Sequence, residues 1–403
     1  MSSSHQPTPL IAWDDMLIQP TLWRQLLQRY HTEMLGLPSW HLTHGAPWVI
    51  GVGEGSSFNA FRLAQYQWHR WHPKLRVTSL RPWELQTQLT LWEPRQLEQG
   101  LWLPISQSAR TASLREAWQQ LSRSRRNPLL PLGGILLTNG QDEDIASFHA
   151  SPYKGCSHTW HLQAGTEPAI AATKTFTGTL LSLWLLGLHQ ARLGDDWPKQ
   201  RFAVIEDRLL ALADAVEAWL PRQAHPDVGT LALVEALAGV VEYHPTVILL
   251  SNGPLVWGLA EAALKLTETT RQPVLYHHSE NFKHGPKAMM SGHPTRQEAP
   301  CMVYVVPHTL PEAERLFSDA AQHFSEVEAL KGQGAAYPKR LWLRFANSAP
   351  LPAAYATEPC MILPAVGKTR EALLLMIVAF QVLGYHIAKQ LHLQADGLSK
   401  AVE

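Results

Sequence analysis

Cysteine is scarce in this sequence, which has three cysteines among 403 residues. Cys156, Cys301 and Cys360 lie far apart, and an odd number of them cannot all pair. No Cys-x-x-Cys pair and no Cys/His cluster has metal-ligand spacing. The sequence therefore indicates neither a disulfide framework nor a zinc site. We expect reduced thiols, a cytoplasmic location, and no bound metal or other cofactor.

Excess charge of either sign is also lacking. The 34 basic residues equal the 34 acidic residues, and charged residues make up 17% of the chain. Proteins that bind nucleic acid usually present a basic face. The balance therefore argues against nucleic acid as the main partner. The hydrophobic content of 45% is that of a globular protein.

Long hydrophobic runs are absent as well. The most apolar stretch, residues 373–385, is shorter than the roughly 18 residues that a membrane span needs, and it contains Gln381. It predicts a buried core helix. The N-terminus has no basic region followed by an apolar one, so we expect no secretory signal and no membrane attachment.

What the sequence does contain is a repeated order of strand, glycine turn and helix. The apolar run Trp48–Gly53 predicts a buried strand, and a helix is predicted from Ser56. The same order returns with a strand at 246–250, the turn Ser251–Gly253 and a helix from Leu255. Further strands are predicted near Trp102, Gly134, Met302 and Arg340, and a long apolar helix over 173–188. Near-continuous apolar strands alternating with helices predict an α/β fold of two doubly wound parallel sheets, related by duplication.

The predicted domains follow from this repeat. Residues 1–45 form an N-terminal extension and helix, 46–195 a first sheet domain, 196–242 a helical connector, and 243–403 a second sheet domain with a C-terminal tail. The first dozen residues, rich in Ser and Pro, are expected to be disordered. The helix that follows, from Trp13 to about Leu35, is expected to be broken by Pro20.

Two hydroxyl-rich turns each follow a predicted strand of the first domain. Gly53–Ser57 opens one helix, and Ser106–Thr111 opens another. Exposed N–H groups and hydroxyls at a helix start can bind a phosphate, although simple helix capping gives the same pattern. Neither turn contains a Lys, so a sugar phosphate fits better than a nucleotide. A third stretch, residues 165–176, has an acid near a helix start and slightly favours plain stabilisation of the helix.

Acidic and basic residues cluster in the second domain. Glu261, Lys265 and Glu268 are spaced i, i+4 and i+7, so they share one helix face, which is then free to line a cleft. His284 follows in a loop before Gly285-Pro286. Such an acid and histidine can move protons. A solvated ladder of ion pairs and a structural histidine remain the alternatives, as does a merely solvated Lys400 near the C-terminus.

Together these motifs resemble the sugar isomerase (SIS) domain family, and more closely the isomerase half of the glutamine:fructose-6-phosphate amidotransferases (glucosamine-6-phosphate synthases). The similarity covers residues 45–403 in the family's order. The segments that carry it are Gly55–Ser57, Ser106–Thr111, Gly165–Lys174, Glu261–Glu268, Lys283–Pro286 and Leu398–Glu403.

The resemblance implies a role for each matching residue. The phosphate-binding residues are then Ser57, Ser106, Gln107, Ser108 and Thr111. Glu268 is implied to be the acid/base that moves a proton between C1 and C2, and His284 to assist ring opening from the neighbouring subunit of a homodimer. Lys265 is implied to line the same pocket, and Lys400 to form a Schiff base with the ketose carbonyl. We expect a desolvated Glu268 to have a raised pKa, which suits both giving and taking a proton.

Several residues depart from the family pattern. Ala109 and Arg110 replace the usual Gly-Glu, so Arg110 either adds a phosphate contact or marks a different ligand. Ala172 stands where the synthases have a serine that contacts the sugar. The chain opens Met1-Ser2 and shows no glutaminase region or N-terminal nucleophilic cysteine, so we expect no glutamine-dependent transfer by this chain alone.

These observations lead to one expected function and two alternatives. We expect an amino-sugar 6-phosphate isomerase/deaminase that interconverts glucosamine 6-phosphate with fructose 6-phosphate and ammonia. A fructosamine 6-phosphate deglycase is an alternative within the same class. A non-catalytic regulatory protein that binds sugar phosphates is the alternative from another class.

Overall fold

Buried strands alternate with helices along the chain, as the apolar runs predict. The computed structural model describes residues 9–34, 48–92, 100–124, 132–150, 156–193, 199–242, 246–291, 299–328 and 338–394. The chain divides into two units. The first consists of the described residues of Ile18–Pro168 and Ala172–Ala213, and the second of those of Met1–Leu17, Ala169–Ala171 and Asp214–Gly397. The domain limits expected from the sequence stay a prediction.

The first unit is built on one parallel sheet. Its elements are α1 (Trp13–Thr32, whose first turn belongs to the second unit), β1 (Trp48–Gly53), α2 (Gly55–Trp71), β2 (Arg76–Leu80), α3 (Pro82–Leu89), β3 (Gly100–Ser106), α4 (Ala112–Arg123), β4 (Leu132–Thr138), α5 (Asp142–His149), β5 (Cys156–His161), α6 (Lys174–Leu193) and most of α7 (Lys199–Trp219). The strand order is β2-β1-β3-β4-β5. The central strands β1 and β3 are almost wholly buried, which explains their continuous apolar sequence.

The second unit repeats this architecture. Its elements are α8 (Val228–Glu242), β6 (Val247–Ser251), α9 (Leu255–Thr270), β7 (Val274–His278), α10 (Ser279–Phe282), β8 (Cys301–Val305), α11 (Leu310–Glu328), β9 (Lys339–Phe345), β10 (Cys360–Leu363) and α12 (Thr369–Gln390), with short 3-10 turns at Leu220–Ala224, Pro286–Ser291 and Ala353–Tyr355. The strand order is β10-β9-β8-β6-β7. Counted from the first strand of each unit, both sheets have the order 2-1-3-4-5. This confirms the predicted α/β fold of two doubly wound parallel sheets.

Aromatic side chains fill the space beneath both sheets. In the first unit the ring of Trp102 lies 6.3 Å from that of Trp118. In the second unit the ring of Trp342 stacks on Tyr304 at 4.8 Å and on Tyr355 at 5.1 Å. Such rings remove a large apolar area from water. Each sheet therefore packs on a substantial hydrophobic core, which helps to fix the positions of the loops at its strand ends.

Two expectations about the N-terminal region are wrong. Helix α1 runs through Pro20 without a break, because a proline removes one backbone hydrogen bond and the remaining turns, packed on the core by Trp23 and Leu26, hold the helix. The first dozen residues are not all unstructured either. Leu10 and Ile11 are buried, and the carbonyl of Leu10 accepts a hydrogen bond from the N–H of Ala171 at 2.8 Å. Residues 1–8 lie outside the described part of the chain.

Helix α12 is the predicted core helix, and it is longer than the run 373–385. It extends over Thr369–Gln390 and, alone among single helices of the described residues, has the length and composition to cross a membrane. A second candidate arises only if the helical stretches 200–224 and 228–242, bent by 65°, are counted as one span. In the structure, 94% of the apolar window of α12 is buried. That burial is typical of a core helix.

Candidate active site

The strand order of the first sheet has a topological switch point between β1 and β3. From β1 the chain crosses to β2 on one side, and β3 follows on the other side. Loops that leave neighbouring strands in opposite directions open a crevice at the carboxyl ends of those strands. Gly53 at the end of β1 pairs with Ile105 of β3. A Cβ at Gly53 would lie only 2.9 Å from the Cβ of Ser57 and 3.2 Å from the carbonyl oxygen of Ile105. Both hydroxyl-rich turns therefore border this crevice.

The first turn opens helix α2. Gly55 has φ of +48°, a left-handed conformation that a glycine adopts without steric cost. The N-cap residue, Glu54, makes no side-chain capping bond, and the side chain of Ser57 is largely buried. A 17-residue helix thus starts directly after β1, and the N–H of Ser57 donates to the carbonyl of Glu54 at 2.9 Å. A helix start that follows a strand in this way favours an anion.

The second turn opens helix α4. The hydroxyls of Ser106 and Thr111 lie 2.7 Å apart and form a buried hydrogen bond. Thr111 is the N-cap of α4 but makes no side-chain capping bond. The carbonyl of Gln107 accepts a hydrogen bond from the N–H of Asn139 at 3.0 Å, and the hydroxyl of Ser108 accepts one from the N–H of Arg110 at 3.1 Å. The turn is therefore held by hydrogen bonds within it and to Asn139, and the hydroxyls of Ser106 and Thr111 lie side by side.

Two of the three departures from the family pattern, Ala109 and Arg110, lie in this turn. Ala109 has φ of +56°, a conformation that suits the glycine usual at this position. The carbonyl of Ala109 accepts a hydrogen bond from Arg115 Nε at 2.9 Å, which helps to hold it there. Arg110 is half exposed, and its Nε lies 3.7 Å from Oδ2 of Asp144. Arg110 thus has a carboxylate partner within the first unit.

The third stretch, residues 165–176, is a helix start stabilised by an internal acid. The buried carboxylate of Glu167 accepts hydrogen bonds from the N–H groups of Thr173 at 2.8 Å and Lys174 at 2.9 Å. The hydroxyls of Thr173 and Thr175 also donate to it. Because a carboxylate already occupies the N-terminus of α6, no external anion is needed there. Ala172, the third departure, is buried beside it.

The acid and lysine cluster on α9 forms a largely buried chain of charges. Lys265 Nζ lies 3.3 Å from Oε1 of Glu261 and 2.7 Å from Oε2 of Glu268. The side chains of Glu261 and Lys265 are wholly buried, and that of Glu268 is 24% exposed. The interpretation as a solvated ladder is therefore wrong, and so is the expectation that the whole charged face lines a cleft. Only Glu268 reaches the surface, because α12 packs closely on α9, with Gly384 against Thr269.

Lys265 is held in its charged form. Burial by itself would lower its pKa, but the carboxylates of Glu261 and Glu268 outweigh burial and raise the pKa above its usual value. A permanently charged ammonium is neither a base nor a nucleophile at neutral pH. In this structure Lys265 is therefore the cation that fixes the position of the Glu268 carboxylate.

His284 lies just after the short helix α10. Its side chain is 74% exposed, and its Nε2 is 3.9 Å from Oε1 of Glu280. The N–H of His284 donates to the carbonyl of Asn281 at 3.1 Å. The backbone around the histidine is thus ordered while its imidazole extends into solvent. Lys400 lies outside the described residues.

The expected site residues therefore fall into two groups. The phosphate-binding candidates, Ser57 and the residues of the second turn, belong to the first unit, whereas Lys265, Glu268 and His284 belong to the second. Lys265 and Glu268 are in direct contact. A residue that sequence analysis missed is Asp319, which is buried and forms an ion pair with Lys283 beside His284. No local pattern marks it, because it is 36 positions beyond Lys283 in a different helix.

The two parallel five-stranded sheets with this strand order match the tandem sugar isomerase (SIS) domain fold of solved structures. No model of a known protein family matches the chain. One solved structure with this fold is the C-terminal domain of glucosamine-fructose-6-phosphate aminotransferase from Francisella tularensis, at 20% identity and a TM-score of 0.66, covering 93% of this chain and 94% of that chain. Another is glucosamine-6-phosphate deaminase from Thermotoga maritima, at 17% identity and a TM-score of 0.60, covering 96% and 95%. At these identities the structures establish the fold.

Curated sequences point to a more particular resemblance. The chain is 30% identical over 252 residues to the isomerizing glutamine–fructose-6-phosphate aminotransferase of Gloeobacter violaceus. The aligned residues make up 60% of this chain and 36% of that protein. The match therefore spans about a third of the length of that relative. The predicted resemblance to SIS domains and to the isomerase half of these enzymes is thereby confirmed.

Proposed function

We propose that this protein is an amino-sugar 6-phosphate isomerase/deaminase. It interconverts glucosamine 6-phosphate with fructose 6-phosphate and ammonia. The observation that carries the proposal is Glu268, a partly exposed carboxylate held at 2.7 Å by a fully buried Lys265. A carboxylate fixed in this way can serve two adjacent carbons, which aldose–ketose isomerisation requires. The relatives named above, an aminotransferase that isomerises its sugar and a deaminase, support the substrate class.

In this proposal the phosphate of the substrate binds at the crevice of the first sheet. The starts of α2 and α4 supply N–H groups, and Ser57, Ser106, Ser108 and Thr111 supply hydroxyls, with the amide of Gln107 beside them. Two helix starts that converge on one crevice favour a dianion more than either does alone. The hydroxyls add orientation without adding charge, which suits a sugar phosphate.

The chemical steps are assigned to the second unit. His284 opens the sugar ring, and Glu268 takes the proton from C2 of the open-chain aldose and returns it to C1. The resulting C2 imine is hydrolysed by water to fructose 6-phosphate and ammonia. By resemblance, Lys400 is placed at this carbon, where it can form an imine with the ketose carbonyl in the reverse direction. The exposure of His284 supports a homodimer in which the histidine completes the site of the neighbouring chain.

Replacing the base tests the proposal. Glu268→Gln keeps the shape of the side chain and its contact with Lys265 but cannot accept the proton. We expect ammonia release from glucosamine 6-phosphate to fall by roughly 10² to 10⁴-fold, with sugar phosphate binding retained. Glu314→Gln, at an exposed position of α11, is the matched control and should keep full activity. Retained turnover in Glu268→Gln would rule out the assigned base.

Two alternatives have their own readouts. Arg110 and Ala172 depart from the synthase pattern at the substrate side and favour a test of fructosamine 6-phosphates as substrates. Release of a free amino acid from them, without ammonia from glucosamine 6-phosphate, would identify a deglycase. Thermal stabilisation by fructose 6-phosphate without turnover of either substrate would identify a regulatory sugar-phosphate-binding protein.

A further inference from the structure

We infer that Asp319 and Lys283 are positioning residues that hold His284 ready for ring opening. The inference rests on the proposed function, because it explains how an exposed imidazole keeps one orientation. Asp319 lies in α11, and Lys283 directly precedes His284 in the chain. Lys283 Nζ is 2.5 Å from Oδ1 of Asp319. This ion pair joins the histidine segment to the core of the second unit.

Asp319 is the buried end of the arrangement. Its side chain is 3% exposed, and its carboxylate also accepts a hydrogen bond from the hydroxyl of Ser279, which contacts Asn252 as well. Burial would raise the pKa of Asp319, but hydrogen bonds from Lys283 and Ser279 outweigh it and lower the pKa. Asp319 is therefore ionised at neutral pH. A buried carboxylate with these partners is costly to disturb, so it is a fixed point.

Helix α10 is anchored at further points on the core. Phe282 is wholly buried, with its ring 5.0 Å from that of His323. His323 Nε2 lies 3.2 Å from the carbonyl oxygen of Ser279, and Nδ1 lies 3.0 Å from the hydroxyl of Tyr304. Both ends of this four-residue helix are thereby fixed by side chains of other elements. Because His284 follows this fixed helix closely, its backbone has a defined position even though its side chain is exposed.

Glu280 extends the chain of charges to the imidazole. Lys283 Nζ lies 3.1 Å from Oε2 of Glu280, and Oε1 of the same carboxylate lies 3.9 Å from Nε2 of His284. An exposed Lys–Glu pair alone is worth little. Here the buried Asp319 holds the ammonium of Lys283, and Lys283 in turn orients the carboxylate of Glu280. Glu280 can then face one side of the His284 imidazole. The charges of Asp319, Lys283 and Glu280 alternate from core to surface, and this series ends beside His284.

Kinetics with two substrates separate positioning of His284 from a general structural role. Fructose 6-phosphate must open its ring, whereas 5-deoxyfructose 6-phosphate lacks the hydroxyl that closes the ring. In the aminating direction, Asp319→Asn and Lys283→Met should lower kcat/KM for fructose 6-phosphate by roughly 10- to 100-fold. Turnover of the 5-deoxy analogue should stay within about twofold of wild type, because no ring has to open. His284→Asn should show the same pattern, and adding Asp319→Asn to it should cause no further loss.

The matched control is Glu358→Gln. It breaks a similar contact in the same unit, where Arg340 Nη2 lies 2.6 Å from Oε1 of Glu358, near the opposite edge of the sheet. This control should leave the ratio of the two substrates unchanged. Equal loss on both substrates in Asp319→Asn and Lys283→Met would show a purely structural effect and overturn the inference, as would no loss at all.

Amide hydrogen exchange keeps the inference testable apart from turnover. Exchange across residues 279–288 should accelerate in Asp319→Asn and Lys283→Met and not in Glu358→Gln. Unchanged exchange in that segment would refute the anchoring itself. If wild type shows this anchoring but turns over neither sugar phosphate, the proposed function fails while the structural part of the inference stands.

Discussion

At the scale of single residues, burial determines how the charges of Glu261, Lys265 and Glu268 contribute to stability and to the site. Glu261 and Lys265 are wholly buried on a helix whose i, i+4 pattern would equally suit a solvated surface. In water such a pair contributes little, whereas in the core each charge needs its partner. Lys265 therefore does two things: it neutralises Glu261 and it holds Glu268 at the surface.

Lys265→Met should separate these two tasks. Removing the ammonium leaves the buried Glu261 without this cation, so we expect a loss of about 3–5 kcal/mol in the free energy of unfolding. The double variant Lys265→Met/Glu261→Gln should recover part of that stability but not the activity, since Glu268 still lacks its cation. Urea denaturation and ammonia release measure the two effects. A change in stability below about 1 kcal/mol in the single variant would contradict this account.

Ala109 gives a second prediction at this scale, because its φ of +56° is tolerated poorly by branched side chains. Ala109→Val should cost roughly 2 kcal/mol or more and weaken the proposed binding of fructose 6-phosphate, since the turn between Ser108 and Thr111 must distort. Ala109→Gly should stay within about 1 kcal/mol of wild type. Ala112→Val, at the first position of α4, is the control. Calorimetry of unfolding and of binding provides the comparison, and equal behaviour of both valine variants would contradict the prediction.

At the scale of elements, the strands that the sequence did not reveal share one property. Within the described residues, β2, β5, β7 and β10 are the outer strands of the two sheets. Three of them have mixed burial, as in β7, where more than a third of the surface of Leu275 and of Tyr276 is exposed. The central strands are buried on both faces and therefore show continuous apolar runs. Edge strands such as Cys156–His161 carry polar residues that a single-sequence pattern does not distinguish from a loop.

The contact between β1 and α2 provides a prediction for elements. A Cβ at Gly51 would lie 2.3 Å from ring carbons of Phe61, which is buried and cannot move aside. Gly51→Ala should therefore destabilise the protein by roughly 1–3 kcal/mol through overpacking. Gly133→Ala is the matched control in β4 of the same sheet, where the nearest atom would be 3.9 Å away, and it should be nearly neutral. Urea denaturation of both variants decides, and equal stabilities would argue against the close packing.

At the scale of the whole molecule, the two units share a strand order but differ in where polar groups lie. The carboxyl ends of β1 and β3 carry the hydroxyl-rich turns, whereas in the second unit the acid, the lysine and the histidine lie on α9 and after α10. In the second sheet, Gly253 approaches the Glu312 carboxylate so closely that a Cβ would lie 2.4 Å from Oε1. An acid at that position disfavours a second phosphate. In the proposed function, these side chains give the two units different roles.

Buried neutral histidines predict how overall stability changes with pH. Burial lowers the pKa of His323 to about 4, and burial also lowers the pKa values of His149, His277 and His386. In the unfolded chain these histidines bind protons near their ordinary pKa, whereas in the folded chain their pKa values are lower. The free energy of unfolding therefore falls as the pH decreases from the ordinary pKa toward the folded pKa. His323 alone should account for about 2 kcal/mol between pH 7 and pH 5.

Urea denaturation at the two pH values measures this loss. His323→Gln should reduce the difference between them, even though the variant is less stable at both. Exposed His225 provides the control, since His225→Gln should leave the pH dependence unchanged. A wild-type stability that is constant or higher at pH 5 would contradict the prediction.

The sequence by itself determined the features that are written locally. Apolar runs, glycine turns and helical spacing marked the central strands, the helices beside them and the two hydroxyl-rich turns, because each depends on neighbours within a few residues. Only the tertiary structure decided which of the marked residues are buried. Whether Lys265 is solvated depends on α12 packing against α9, and the anchoring of His284 depends on Asp319 from α11. Burial and long-range ion pairs arise from segments distant in sequence, and no local pattern records them.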